Sequence, residues 1–358
     1  MYFPKIDFSI PKKNSIILFD EINSKYIKKY INSKNYYLVK IRNKNIHFFA
    51  FIYALIFFYK SNFKIEYINF FLSFSKKKIL ISQNYNRLIL YQLKLYYPNI
   101  RVIIIQNGII NNRFLNLLKK TKYIKLTCDY FCCFSDVEKI ILQKYIKANF
   151  LTIGSIKNNF YKIKTKKNKK ELLYISQYRN NLVNRQEYLN LYKNEKLILP
   201  IIYEFCQKKN IILSILPGDD NFKEEKMHYS KILNTRNFKI YERNLDKSYL
   251  RVDESLFSIG INSTLVYEAL ARKKKVGILN FLENKNNEDS AYKLFEKKFK
   301  YEGNFWSKKF NKKKIFKILN YLFNISDKKW LKHNNSKTKL FLYDANNSKI
   351  KFLFKKEI

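Results

Sequence analysis

The sequence predicts an α/β protein made of two doubly wound, Rossmann-like domains. Short apolar runs rich in β-branched residues recur along the chain, longer helical segments alternate with them, and one polar stretch interrupts this alternation. Continuous apolar runs of about four to six residues are expected of strands buried on both faces of a parallel sheet. Alternating strands and helices produce a doubly wound sheet, and 358 residues suffice for two of them.

The strands and helices follow from these runs in chain order. The predicted strands are 15–19, 36–41, 79–82, 102–106, 130–134 and 150–153 before the break, and 172–176, 211–216, 238–241, 255–259 and 276–279 after it. The predicted helices are 24–31, 47–59, 85–97, 137–148, 186–208, 264–272 and 313–322.

The break at 161–170 is basic and almost free of apolar residues, which is typical of an exposed linker. It separates a predicted N-terminal domain, 1–160, from a C-terminal domain, 171–326. Residues 327–358 lose the alternation and are predicted to form a closing helix and tail. Two such domains would face each other across a cleft lined by the carboxyl ends of both sheets.

The chain is strongly basic, with 71 Lys and Arg against 28 Asp and Glu and a net charge of +43. Two explanations stay open: a genome poor in G and C that fills surfaces with Lys and Asn, or attraction to an anionic partner. Basic residues are spread over the whole chain, whereas nucleic-acid modules usually concentrate them, so nucleic acid is the less favoured partner.

The N-terminal residues show no signal peptide, which favours a cytoplasmic location. Cys128, Cys132, Cys133 and Cys206 lack paired spacing, so we expect reduced structural thiols and no zinc. The most apolar run, 47–59, is shorter than the ~20 residues that span a bilayer. We favour a buried helix for it, and a helix docked on an anionic membrane is the alternative.

The strongest local motif follows the predicted strand 255–259. Gly260, Ile261 and Asn262 form a turn, and Ser263 or Thr264 then caps a helix whose free N–H groups and dipole favour phosphate. Glu268 lies on the same helix face as Thr264 and could accept hydrogen bonds from a ribose. The alternative is a simple capping box, but that needs an acid three residues after the cap, whereas Glu268 is four or five residues away.

This motif resembles the nucleotide-binding helix of GT-B glycosyltransferases and, more narrowly, a bacterial family of surface carbohydrate biosynthesis proteins. The segment 263–276 reads STLVYEALARKKKV, with Val266 and Lys273 where the family pattern has Gly. Further segments resemble the family in order: RVIIIQNGI at 101–109, GSIKNN at 154–159, YISQYR at 174–179 and EGNFW at 302–306. Together they lie within residues 75–325.

The resemblance implies a GT-B fold and a role for most of these turns. The donor-binding residues would be Ser263, Thr264, Glu268 and Asn262 with Ser176, Gln177 and Arg179. Gln106, Asn107 and Gly108 would lie on the acceptor side of the cleft, and Gly154 and Ser155 would form the turn between domains. From the residues alone, Asn107-Gly108 is equally typical of a tight turn, and Arg179 of a surface cation.

The best candidates for catalytic carboxylates are Asp20 and Glu21, which close the first predicted strand. Helix capping is the favoured explanation of both residues, because Asp and Glu commonly start helices. Asp219 and Asp220 follow Pro217-Gly218 and favour a turn over a metal site, and the three His residues stand in unrelated contexts. We therefore expect no metal and no cofactor.

Taken together, the sequence predicts a cytoplasmic enzyme that moves a sugar from a nucleotide-sugar donor to a bacterial surface glycan or its lipid-linked precursor. A peripheral contact with the anionic inner membrane face is a further expectation. The alternatives are a CDP-polyol-type phosphotransferase of the same architecture, a basic nucleic-acid-binding protein, and an inactive relative.

Overall fold

The computed structural model describes residues 5–13, 15–21, 23–31, 35–41, 45–121, 123–164, 170–180, 186–281, 299 and 302–358. The chain divides into two compact units. The first unit contains Met1–Ile109, Phe114–Phe160 and Asp344–Ile358, and the second contains Ile110–Arg113 and Tyr161–Tyr343.

The first unit is built on a six-stranded sheet whose paired strands are all parallel. In sheet order these strands, numbered along the chain, are β3 (Tyr36–Val39), β2 (Ile16–Phe19), β5 (Ile79–Ser82), β6 (Arg101–Ile105), β7 (Leu126–Cys133) and β8 (Ile146–Thr152). A separate parallel pair joins β1 (Ile6–Asp7) to β4 (Ile46–His47). Strands β2 and β5 are buried along their whole length, as expected for a sheet covered on both faces.

The second unit repeats this design with another six-stranded parallel sheet. Its strands, in sheet order, are β11 (Lys239–Ile240), β10 (Ile212–Leu216), β9 (Glu171–Ile175), β12 (Phe257–Gly260), β13 (Val276–Leu279) and β14 (Trp306–Ser307). The predicted α/β class with two doubly wound sheets is therefore confirmed.

The helices connect successive strands along the chain. They are α1 (Ser24–Lys28), α2 (Phe48–Phe57), α3 (Phe63–Ser73), α4 (Ile89–Tyr96), α5 (Asn112–Lys120), α6 (Asp136–Leu142), α7 (Ile156–Phe160), α8 (Gln186–Lys208), α9 (Phe222–Leu233), α10 (Leu245–Glu254), α11 (Thr264–Ala271), α12 (Lys312–Asn324), α13 (Asp327–Thr338) and α14 (Ser348–Glu357). The segment predicted as a closing helix and tail thus contains two α-helices, and the second of them belongs to the first unit.

One predicted boundary was wrong. The helix predicted over 137–148 ends at Leu142, because Ile146 and the residues after it pair with β7 as strand β8. The apolar residues 146–151 suit a strand as well as a helix, and the pairing partner decides between the two.

The favoured interpretation of the apolar run 47–59 as a buried helix was also wrong. In α2 only the small residues Ala50 and Ala54 are buried, and this side of the helix packs against α3. The bulky side chains lie on the outer side, and those that are 38–58% exposed are Phe48, Phe49, Phe51, Ile52, Leu55 and Ile56. The two alanines are four residues apart and lie on one face of the helix, which leaves the large residues on its other faces.

Within the described residues, no single helix is long and apolar enough to span a membrane. The pair Phe48–Lys60 and Phe63–Ser73 meets that criterion only when taken together, and it is bent by 118°.

The four cysteines are free and buried. Burial raises the pKa of the Cys132 and Cys206 thiols to about 12, so neither is a thiolate at neutral pH. These cysteines are packing residues, as predicted.

Candidate functional site

In the second unit, three turns follow neighbouring strands at the carboxyl edge of the sheet. The turn 176–179 follows β9, the turn 217–220 follows β10, and the turn 261–263 follows β12. Because β9 pairs with both β10 and β12, its turn lies between the other two. Gln177 Oε1 accepts a hydrogen bond of 2.7 Å from the Asn262 backbone N–H, which fastens two of the turns together. Most of the predicted donor residues are therefore brought to one place.

Helix α11 begins at this edge. Ser263 is its N-cap residue in an extended conformation, and its side chain makes no capping hydrogen bond. The first turn carries no acidic residue, so the capping-box alternative is not formed. The helix thus starts with Thr264 directly after the Gln177-bound turn, and its N-terminal dipole is not neutralised by a side chain of that turn.

Glu268 lies inside the second unit rather than at its surface. Its side chain is 3% exposed, and the Tyr249 hydroxyl donates a hydrogen bond of 2.9 Å to Oε2. A carboxylate in this position is oriented by the protein. Its role toward a ribose remains a prediction.

The two residues that depart from the family pattern are both accommodated by the backbone around them. Val266 packs against the end of β12, where a Cβ atom on Gly260 would lie 2.4 Å from Val266 Cγ2. Lys273 has φ of 62°, the left-handed conformation that a Gly would adopt without strain. The N–H groups of Lys273 and Lys274 bond to the carbonyls of Leu270 and Ala269, which is a Schellman motif.

Arg179 is held at the carboxyl edge by its own turn. Its Nη1 donates a hydrogen bond of 2.8 Å to the Tyr178 carbonyl, and a Cβ atom on Gly218 would lie 2.5 Å from the same nitrogen. The missing side chain at Gly218 therefore makes room for the guanidinium. This favours a positioned cation over a freely solvated one, because the neighbouring turn is shaped around it.

Asp219 and Asp220 form a turn, as the simpler interpretation predicted. Asp219 accepts hydrogen bonds from the backbone N–H groups of Asn180 and Asn221, at 2.9 and 3.1 Å. Burial acts to raise the pKa of Asp219, but these bonds and the nearby Arg179 outweigh it and lower the pKa overall. Asp220 pairs with Arg243 at 3.0 Å. Within the described ranges, no group of three or more His, Cys, Asp and Glu side chains could hold a metal ion.

A buried polar network lies behind these turns, and sequence reasoning missed it. Glu195 is 2% exposed, and its Oε1 lies 2.9 Å from the Tyr174 hydroxyl and 3.0 Å from the Tyr229 hydroxyl. The Tyr229 hydroxyl also lies 2.6 Å from Ser176 Oγ. Ser176 Oγ in turn lies 2.5 Å from Oε1 of the buried Glu225. Ser176, a predicted donor residue, is therefore fully engaged inside the unit.

The first unit carries a second polar cluster, at the carboxyl ends of β2, β5 and β6. Asp20 ends β2 with φ of 84°, an uncommon conformation for a residue other than Gly, and it is 4% exposed. Asn84, from the turn after β5, donates a hydrogen bond of 2.8 Å to Asp20 Oδ2. Strained backbone concentrates at functional sites, so this conformation supports Asp20 as a site residue.

The other predicted residues of the first unit have different surroundings. Asn107 accepts a hydrogen bond from the Asn23 side chain, so the turn after β6 contacts the segment after β2. Glu21 has a different partner from Asp20, because its Oε2 accepts a hydrogen bond of 3.2 Å from the Ile41 N–H. Gly154 and Ser155 follow β8, with φ of 73° at Gly154, and Ser155 Oγ accepts a bond from the Asn158 N–H.

Gln106 differs from the prediction that it faces a cleft. It is fully buried, and its amide donates to Glu138 Oε1 and to the Gly108 carbonyl, both at 2.8 Å. Its oxygen accepts a bond of 2.9 Å from the Phe134 N–H. Gln106 therefore supports the turns of the first unit, because buried polar groups around it require partners.

A family model described as "putative O-antigen biosynthesis protein" matches residues 103–358 of the chain. This is well over half of the sequence. The chain belongs to this O-antigen biosynthesis family. The matched region includes the second unit from Tyr161 onward, with every predicted donor residue, whereas Asp20 and Glu21 lie outside it.

The solved structure of a wall teichoic acid polymerase supports this architecture. The wall teichoic acid polymerase TagF, in a structure with CDPG, is similar to the chain with a TM-score of 0.53 and 14% identity, covering 97% of this chain and 89% of TagF. The chain has the GT-B-type fold of this polymerase. A GtfA/B complex is similar with a TM-score of 0.46 and 10% identity, and the chain spans 60% of that protein.

Among curated proteins, the DNA-directed RNA polymerase subunit beta'' of Plasmodium falciparum is 27% identical over 308 residues. The match covers 77% of this chain and only 30% of that subunit. Such a level of identity over a fraction of the relative establishes no shared family. The comparisons therefore establish the O-antigen biosynthesis family and the GT-B-type fold.

Proposed function

We propose that this O-antigen biosynthesis protein is a glycosyltransferase that uses a nucleotide-sugar donor. The observation that carries the proposal is the joined pair of turns after β9 and β12, where Gln177 binds the Asn262 N–H directly before α11. An anionic diphosphate would be stabilised there by the N-terminal end of α11 and by Arg179.

The proposed reaction requires two things of the protein, which are stabilisation of the leaving diphosphate and a base for the acceptor. In the transfer, the bond between the sugar C1 and the diphosphate oxygen breaks, and a bond forms between C1 and an acceptor hydroxyl oxygen. The diphosphate leaves with its added negative charge, which helix N–H groups and a guanidinium can stabilise without a metal. The acceptor proton goes to a base, and the carboxylate of Asp20 is our candidate because its turn is buried, strained and oriented by Asn84.

The acceptor in this proposal is an O-antigen glycan or its lipid-linked precursor. A lipid-linked acceptor would be met at a membrane, and the first unit carries a suitable surface. We call the exposed apolar residues of β1 and α2 and those beside them the apolar patch. It consists of Ile6, Phe8, Ile10, Phe48, Phe49, Phe51, Ile52, Leu55, Ile56, Phe58 and Tyr59.

An aromatic contact joins the two segments of the apolar patch, and positive charge flanks it in sequence. The Phe8 ring contacts the rings of Phe48 and Phe49, with centroids 5.2 and 6.2 Å apart. Exposed lysines flank it in sequence, including Lys12 and Lys60. Large exposed apolar areas mark interaction sites, and aromatic residues beside lysines suit an anionic lipid surface. We propose that the protein contacts the cytoplasmic membrane face through this patch.

The donor is tested by the thermal stability of the purified protein with CMP-, UDP-, GDP- and dTDP-sugars and with CDP-glycerol. A ligand at a hundred times its dissociation constant adds about 2.7 kcal/mol of stability. We expect one nucleotide sugar to raise the melting temperature. Arg179→Gln should abolish that shift, while Arg236→Gln, at an exposed arginine of the same unit, should preserve it.

Two results would redirect the proposal. A shift with CDP-glycerol alone would make the chain a polyol phosphotransferase of the same fold. No shift with any donor, together with stabilisation by DNA or RNA that disappears steeply with salt, would make it a nucleic-acid-binding protein.

The membrane contact is tested by sedimentation with vesicles of phosphatidylcholine alone or with added phosphatidylglycerol. We expect binding to the anionic vesicles, and a several-fold loss for the double variant Ile52→Ser and Ile56→Ser. Ile140→Ser is the matched control, because Ile140 is 60% exposed on α6 of the same unit. Equal binding by all variants would exclude the apolar patch as the contact.

A further inference from the structure

The second unit contains a cavity between α8 and α9 that the proposed donor site does not use. Its volume is about 400 Å³, within the range of pockets for small ligands. Tyr178, Tyr192 and His228 give it aromatic walls, and the charged side chains of Glu224 and Lys231 reach it. Polar and aromatic groups converge here although the donor chemistry requires none of them.

His228 is a fixed part of the cavity wall. Its Nε2 lies 3.1 Å from Oε2 of the buried Glu195, whose other oxygen is held by the Tyr174 and Tyr229 hydroxyls. The imidazole ring also lies against Tyr178 and Tyr192, with centroids 4.6 and 5.2 Å apart. A ring held by these contacts presents a preorganised aromatic surface, so a ligand would lose little free energy in ordering it.

The Glu224 carboxylate in the cavity wall has an oxygen without a hydrogen-bond donor. Its Oε2 is shielded from solvent and has no hydrogen-bond partner within the described part of the chain. A buried carboxylate oxygen without a donor costs free energy, so such groups are normally satisfied. Because Glu224 lines the cavity, a rotation of its side chain would bring this oxygen to the O–H or N–H donors of a ligand. Lys231 supplies donors for the ligand's own acceptors.

We propose that this cavity binds a carbohydrate ring, as a glycan subsite separate from the donor site. The choice of a carbohydrate rests on the proposed function. The ring planes of Tyr178 and Tyr192 are tilted by 43° and 46° from that of His228, so neither tyrosine forms one flat surface with the imidazole for a nucleobase. A puckered sugar can place C–H groups on tilted rings, donate hydroxyl protons to Glu224 and accept from Lys231.

The test is saturation-transfer NMR on the full chain, with N-acetylglucosamine, galactose and glycerol as probes and with cytidine and uridine as rivals. We expect transfer to the ring protons of at least one sugar. Losing a hydrogen bond to a charged group should weaken binding about tenfold in Glu224→Gln. Tyr192→Ala should also weaken it. Glu204→Gln and Tyr203→Ala, on the same helix α8, are the matched controls and should bind as the native chain does.

Three outcomes would overturn the inference. They are no saturation transfer to any sugar at millimolar concentrations, saturation transfer that is unchanged in both cavity variants, and saturation transfer to a nucleoside that Tyr192→Ala abolishes. Circular dichroism of each variant separates a lost subsite from a lost fold. Stabilisation by a nucleotide sugar without saturation transfer to any free sugar would refute the subsite and leave the glycosyltransferase proposal intact. Saturation transfer to a free sugar without stabilisation by any nucleotide sugar would support the subsite and refute the glycosyltransferase proposal.

Discussion

Burial of the Glu225 carboxylate in the polar network predicts that its pKa is raised in the folded protein. Four oxygen–oxygen contacts of 2.5 to 3.0 Å connect Tyr174 and Tyr229 to Glu195, Tyr229 to Ser176, and Ser176 to Glu225. Ser176 Oγ donates to Glu225 Oε1, and the Tyr174 hydroxyl donates to Glu195 Oε1. The Tyr229 hydroxyl has one proton for two acceptors, Ser176 Oγ and Glu195 Oε1.

Several groups of the second unit act on the pKa of Glu225. Burial raises it, and the charge of Glu195 adds to the increase, while hydrogen bonds from Ser176 and from the N–H groups of Gly218 and Asp219 oppose it without cancelling it. The folded state therefore binds a proton more tightly than the unfolded chain, whose ordinary pKa is 4.5. This stabilisation is complete below pH 4.5 and is lost as pH rises through the folded pKa.

The perturbation is Glu225→Gln, which keeps an oxygen that accepts from Ser176 but cannot ionise. One proton corresponds to about 1.4 kcal/mol per pH unit. The free energy of unfolding of the native chain should therefore fall by about this slope relative to Glu225→Gln from pH 4.5 upward, and level off above the folded pKa. The variant itself should carry a constant cost, because its amide nitrogen cannot accept from the Asp219 N–H.

The assay is urea unfolding followed by tryptophan fluorescence at a series of pH values that starts below the ordinary pKa of 4.5. Trp306 and Trp330 are the two tryptophans of the chain and are buried in the second unit, so they report on the unit that contains Glu225. Glu242→Gln, at an exposed position of the same unit, is the control. A difference in stability between native and Glu225→Gln proteins that does not change with pH would refute the raised pKa of Glu225.

The same unfolding assay tests three further expectations. Gly260→Ala should cost about 1–3 kcal/mol, because its Cβ would lie 2.4 Å from Val266 Cγ2, and most of the loss should return in a Val266→Ala background; an undiminished loss there would contradict the packing argument. Lys273→Gly should stabilise by about 0.5–1 kcal/mol by relieving the left-handed backbone, and a loss of stability would exclude strain at that residue. Asp253→Ala should cost about 3–5 kcal/mol, because it leaves the fully buried Arg272 without its carboxylate, and a cost under about 1 kcal/mol would show that the pair is dispensable.

The strands were the most predictable part of this protein. Each of the predicted strands overlaps an observed one, because continuous apolar runs between polar turns leave few alternatives in a doubly wound sheet. Helices such as α9 and α10 were missed because charged residues interrupt their apolar residues, so neither sequence contains a continuous apolar run. Their N-cap residues, Asn221 and Asn244, were the available signal, since each side chain accepts a backbone N–H.

Neighbouring strands determine which of the predicted site residues lie together. Gln177 and Asn262 are 85 residues apart, yet they meet because β9 and β12 are paired and both end at the same edge. The network of Glu195, Glu225 and His228 had no such guide. Those side chains meet only through the packing of α8 against α9, which depends on the angle and depth at which the helices lie on the sheet.

The departures from the family pattern show why a replaced glycine does not by itself imply an inactive protein. Val266 occupies space that Gly260, at the end of the preceding strand β12, leaves open, and Lys273 accepts a left-handed backbone at the far end of α11 from its N-terminus. Phosphate binding at a helix depends on the N–H groups and dipole of its first turn. Each replacement is accommodated by local geometry, and α11 still begins at Thr264 after its N-cap residue Ser263. The helix N-terminus that would meet a donor diphosphate therefore keeps its dipole.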